Sequence, residues 1–150
     1  MKACLFLVLL CYSLPAMAQV IGDSLTNASD SIYQVVEQMP SFKADCPSDA
    51  QYKPCADKAM VTYVYEKLEY PEEAEVAGKE GMAVVSFVVE KDGTVNQASI
   101  YREPGYGMGE EALRVVESMN EGGPRWNPAS RNGEPVRAMF NLPVKFTAGK

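Results

Sequence analysis

The sequence predicts an α+β fold: a three-stranded antiparallel/mixed sheet in the order 2-1-3, with helices packed on one face. Three observations predict it. Val136, Ala138, Phe140, Leu142, Val144 and Phe146 alternate without a break against Arg137, Met139, Asn141, Pro143 and Lys145, the two-residue period of a strand with one buried face. Two strand segments, the Val-rich 82–90 and 95–102, flank Lys91-Asp92-Gly93-Thr94, where Asp-Gly supplies the backbone freedom of a two-residue hairpin turn. Between that hairpin and the last strand, Ala112, Leu113, Val115, Val116 and Met119 recur at helical spacing behind an acidic first turn.

Composition fits a single acidic globular domain. The 150 residues carry 14 Lys+Arg against 20 Asp+Glu, a formal charge of −6, with 47% hydrophobic residues. There is no histidine, which removes the commonest general base, the commonest metal ligand and every Ser–His or Cys–His pair. No nucleophile–base arrangement replaces it, so the chain reads as a non-enzyme without metal or cofactor. The acidic balance argues against nucleic acid, whose binding draws on clustered Lys and Arg.

The N-terminus carries an address. Met1-Lys2 is a basic start, residues 3–14 are apolar, and Pro15-Ala16-Met17-Ala18 places small residues at −1 and −3 of a cleavage site before Gln19. As a helix, the apolar run is about 18 Å long, short of a bilayer core of about 30 Å. Residues 1–18 are therefore expected to be a cleaved signal peptide, and the mature chain periplasmic or secreted. If the segment stays uncleaved, residues 3–21 nearly span a bilayer and the protein is anchored in the inner membrane.

Residues 19–56 form a polar N-terminal extension. Beyond the leader, Cys46 and Cys55 are the only cysteines. In an oxidising compartment this pair reads as a structural disulfide, worth roughly 2.5–3 kcal/mol for a loop of about ten residues. Residues 31–39 suit a short strand or a short helix equally, and residues 40–54 read as loop.

The domain proper is expected over residues 57–147. Asp57 suits a helix cap, followed by Met60, Tyr63, Val64, Lys67 and Leu68 at three- and four-residue steps, with Tyr63, Tyr65 and Tyr70 read as packing residues. Pro71 opens a second short helix that stops at Gly78, and its Glu72 and Glu73 complement the helix dipole rather than form a catalytic pair. In strand 82–90, Ala83, Val85, Phe87 and Val89 share one face. Pro104, Gly105, Gly107 and Gly109 read as a turn, since no Lys-Ser/Thr follows to make a phosphate loop. Trp126, the lone tryptophan, reads as a core plug.

The helical link between strands two and three implies a right-handed crossover that leaves them parallel. The hairpin makes strands one and two antiparallel, so the first strand lies in the middle and the last becomes an edge. Pro143 agrees, because a residue without an N–H belongs where that group faces away from the ladder. The backbone groups of Arg137, Met139, Asn141 and Lys145 then face the same free edge.

These residues also carry a family likeness. Tyr70-Pro71, Ala74, Gly78, Gly81, the strand at 84–89, Asp92-Gly93, Glu111-Ala112-Leu113, Trp126-x-Pro128-Ala129, Gly133-x-Pro135-Val136 and Leu142-Pro143-Val144-x-Phe146 resemble, in order, the TonB C-terminal domain in the form common in Bacteroidetes-type bacteria. The likeness runs from about Cys46 to Phe146. It implies a TonB C-terminal-like fold and a periplasmic adaptor that grips the extended TonB box of an outer-membrane TonB-dependent transporter, or a like segment of another envelope protein, alongside its last strand. The partner-binding role falls, by that resemblance, on Arg137, Met139, Asn141 and Lys145. Unlike a full energy transducer, residues 19–56 hold no Pro-rich spacer. The competing expectation is a homodimer that pairs the same edge with its own copy.

Overall fold

The computed structural model describes residues 31–148 apart from Asp49 and Pro124, so the leader and its cleavage site lie outside the described residues. The elements run β1 (Ile32–Tyr33), β2 (Ser41–Phe42), α1 (Tyr52–Lys67), α2 (Glu72–Val76), β3 (Gly81–Val89), β4 (Val95–Arg102), α3 (Met108–Glu117), a 3-10 turn (Ser118–Asn120), β5 (Trp126–Asn127), β6 (Ala129–Arg131) and β7 (Glu134–Phe146). No helix among the described residues is long and apolar enough to cross a membrane.

The core order 2-1-3 is present as β4-β3-β7, with β3 antiparallel to both neighbours. The sheet has five strands, however, not three. The reason is a difference in length. β3 has 9 residues and β7 has 13, and β3 pairs only from Val89↔Ala138 to Gly81↔Phe146. The overhang at the start of β7 needs other partners for its backbone groups. It folds onto β6 through the Asn132-Gly133 turn, pairing Arg131 with Glu134, and β1 joins in parallel opposite Arg137 and Ala138. The ambiguous segment at 31–39 is thus a short strand, followed by a bridge from Gln38 to Ser130.

Three local expectations shift. α1 begins at Tyr52 rather than near Asp57. Pro54 falls in its first turn, where N–H groups have no helical acceptor, so the proline costs the helix no hydrogen bond. The β3–β4 loop is one residue longer than a two-residue turn. Glu90 N–H donates to the Thr94 carbonyl (2.9 Å), Gly93 N–H donates to the Glu90 carbonyl (2.9 Å), and Gly93 takes φ +85°. Asp92 steadies that loop by accepting from the Thr94 hydroxyl (2.7 Å) and N–H (2.9 Å), which hold its pKa below the usual value. Gly109 belongs to α3: a Cβ there would lie 1.8 Å from Glu103 Oε2 and 3.0 Å from Ile100 Cγ2, so its bareness lets α3 approach β4.

The core lies on one face of the sheet. Ala83, Val85, Phe87 and Val89 of β3 meet Leu142, Val144 and Phe146 of β7, under Val64 of α1, Ala74 of α2 and Ala112, Val115 and Val116 of α3. Trp126 is 1% exposed, with ring centroids of Phe42, Phe87 and Phe140 at 5.0–5.6 Å, so the plug expected from the sequence is in place. Cys46 and Cys55 form the disulfide, tying the preceding loop to the first turn of α1 with 5.9 Å between Cα atoms.

Candidate functional site: the outer flank of β7

The direction of each backbone group on β7 follows from one side-chain contact. Tyr65 Oη, from α1, donates to the Lys145 carbonyl at 3.0 Å. That carbonyl therefore points away from β3. In an antiparallel ladder a residue's N–H and C=O share a side, and the side alternates. The register with β3 is continuous from Ala138 to Phe146, so the groups of Met139, Asn141 and Pro143 point outward as well. Pro143, opposite Val84, sits where its missing N–H leaves no gap in the ladder. The two-residue turn makes Arg131 and Glu134 a hydrogen-bonded pair, so even-numbered residues point to β6 just as they point to β3. Both partners line the inner flank of β7.

The outer flank is divided. Arg137 and Ala138 are paired with β1, which corrects the expectation that the edge is open from Arg137 onward. Beyond Ala138, no strand among the described residues pairs with that flank. Met139 adjoins the β1 pairing. Asn141 then presents a donor and an acceptor, Pro143 an acceptor, and Lys145 a donor, and these last three residues are exposed.

The side chains sort in the same way. Arg137 makes two bonds to Glu90, at 2.7 and 2.9 Å, with the two side chains only 13% and 20% exposed. Its charge is thus engaged within the protein. Met139 is half-buried, and Asn141 and Lys145 are exposed beside the open stretch. Of the four residues expected at the binding edge, three lie on the open stretch and Arg137 lies in the closed part.

Sequence reasoning missed Tyr65. It took the tyrosines as packing residues, which fits Tyr63, whose ring packs against the core and whose hydroxyl reaches the Ser118 carbonyl at 3.1 Å. Tyr65 instead is 45% exposed and caps the far end of the flank. Its position depends on how α1 is anchored. Glu111 of α3 accepts from the Glu69 N–H (2.7 Å) and from Arg114 (2.6 and 2.8 Å), while Arg114 donates to the Lys67 carbonyl (2.8 Å). Burial pushes the Glu111 pKa up, but the Arg114 guanidinium and the Glu69 N–H outweigh it and hold the carboxyl below its ordinary value.

The family model for the Gram-negative bacterial TonB protein C-terminal matches residues 66–148. The chain belongs to the TonB C-terminal domain family. Domains of this family are periplasmic binding modules of energy transduction that interact with outer-membrane transporters, and they are not enzymes. Two solution NMR structures of the Helicobacter pylori TonB C-terminal domain are similar to this chain. The longer is 23% identical and covers 72% of this chain and 99% of its own, with a TM-score of 0.48. The shorter is 22% identical and covers 60% and 90%, with a TM-score of 0.44. The solution NMR structure of the Pseudomonas aeruginosa TonB C-terminal domain is 21% identical and covers 55% and 82%, with a TM-score of 0.38. No curated protein matches the chain.

Proposed function

We propose that this TonB C-terminal domain captures an extended, TonB-box-like segment of an outer-membrane transporter or another envelope protein, which adds as a strand along residues 139–145. The observation that supports this reading is the outward-facing run of backbone groups on β7 beyond β1. An unpaired edge accepts any extended peptide through main-chain bonds, whatever its side chains. About four such bonds, each worth roughly 0.5–1.5 kcal/mol net, are set against the entropy of association. The expected affinity is therefore modest, and the contact readily reversible. Met139, Asn141 and Lys145 carry the binding, with the Pro143 carbonyl between them. In this reading residues 1–18 are a leader removed before Gln19, and the mature module works in the periplasm.

Titration of the 15N-labelled protein with a synthetic TonB-box peptide from a transporter of the same genome tests this. Amide shifts should centre on Asn141 and Lys145, and Asn141→Pro should weaken binding by about tenfold. Shifts centred on β4, or none at saturating peptide, would exclude strand addition at β7. Light scattering on the same samples identifies the competing arrangement, a dimer through this edge that ignores the peptide.

A further inference from the structure

At the Phe146 end of the open flank the surface sinks into a cavity of about 250 Å³ lined by Tyr65, Leu68, Tyr70, Lys145, Phe146 and Thr147. Both tyrosine hydroxyls of its lining are already committed. The Tyr65 hydroxyl donates to the Lys145 carbonyl, and the Tyr70 hydroxyl donates to the Lys79 carbonyl. Beside Lys145 and Thr147, the remaining walls are ring surface and Leu68, with Tyr70 and Phe146 packed edge to face at 5.9 Å between centroids. This volume lies below the ~300–1,000 Å³ of sites for drug-sized ligands, and suits a single side chain.

We propose that this cavity receives one large apolar side chain, of the leucine, isoleucine or phenylalanine class, from the segment that adds along β7. The inference rests on the strand-addition reading and extends it from backbone capture to selectivity at one position. Two independent features meet here. The first is directional: laterally adjacent residues of a sheet share a face, so a partner residue beside Val144 or Phe146 points to the helix side, where α1 brings Tyr65 and Leu68. The second is a stop. Tyr65 occupies the outward carbonyl of Lys145, so the acceptors available to an added strand end at Pro143, two residues before Lys145 in the cavity lining. The occupant is apolar because four of the six lining residues, Tyr65, Leu68, Tyr70 and Phe146, offer rings or an aliphatic side chain, and both tyrosine hydroxyls are engaged elsewhere.

The test uses the full chain and the transporter-derived peptide above, alanine-scanned and followed by fluorescence anisotropy. One position should respond: alanine there weakens binding about tenfold, whereas exchange among Leu, Ile and Phe changes it less than about threefold. In Tyr65→Ala, which removes a half-exposed ring, that discrimination should fall below about twofold. In Tyr65→Phe, which keeps the ring and frees the carbonyl, it should persist. Circular dichroism confirms that both variants fold. If the peptide binds but tolerates alanine everywhere, or if Tyr65→Ala keeps the discrimination, the cavity proposal fails while strand addition stands. If the parent peptide does not bind the wild-type protein, both fail.

Discussion

Residues 134–138 of β7 have β6 and β3 on the inner side, and β1 closes the outer side at Arg137 and Ala138, with Glu90 bonded twice to Arg137. Residues 139–146 keep β3 on the inner side, but among the described residues the outer side receives no strand and one hydroxyl, from Tyr65. In both halves the even-numbered residues from Val136 to Phe146 are apolar. What separates them is whether the chain returns to cover the edge. An exposed, flat, apolar edge invites aggregation, and proteins blunt such edges with short length, proline and charge. The open half shows the last two, in Pro143 and Lys145.

That contrast can be broken directly with proline. Val144→Pro removes an N–H directed at β3 and should destabilise the fold by roughly 3 kcal/mol or more in urea unfolding. Asn141→Pro removes an N–H directed outward and should stay within about 1 kcal/mol of wild type while weakening peptide binding about tenfold. Equal destabilisation by the two would mean that the outer flank is already paired.

The clamp on the closed half gives the next effect. Glu90→Gln takes one charge from a pair of side chains only 13% and 20% exposed, and should cost about 1–3 kcal/mol, with the loss persisting in high salt. Gly133→Ala places a side chain at φ +78° in the β6–β7 turn and should cost about 1 kcal/mol. Hydrogen exchange in Gly133→Ala should quicken across β6 and the start of β7 while Phe140, Leu142, Val144 and Phe146, whose N–H groups face β3, stay protected. Uniform quickening would show that the two halves open together.

The smallest effect concerns the anchor that sets α1, and with it Tyr65, against the open half. The Glu111 carboxyl is held below its ordinary value of 4.5 in the folded protein. A depressed carboxylate contributes stability that is present above the unfolded value and lost as pH falls through the folded one. Wild type should thus exceed Glu111→Gln in thermal midpoint at neutral pH, and the gap should narrow as pH drops below about 4.5. A gap that is constant down to pH 2 would mean the carboxylate charge contributes nothing.

Much of this was legible in the residues. The order β4-β3-β7, the inward face of β3, the plug at Trp126 and the outward setting of Pro143 followed from periodicity, a turn and a missing N–H. The β6–β7 hairpin carried a usable mark as well, because Asn132-Gly133 favours a two-residue turn as strongly as Asp92-Gly93. The pairing of β1 carried none. Two strand residues offer too little pattern to separate strand from helix. Nor did Tyr65 announce its contact, since its hydroxyl meets a carbonyl 80 residues away.

Side-chain alternation, turn residues and the absence of a proline donor are properties of neighbours along the chain, so they specify which faces are buried and which strand can stand at an edge. Coverage of that edge is different in kind. It depends on the lengths of β3 and β7 set against each other, on where β1 returns, and on how Glu111 and Arg114 lodge the end of α1. Those are contacts between residues far apart in sequence, and only the folded chain brings them together.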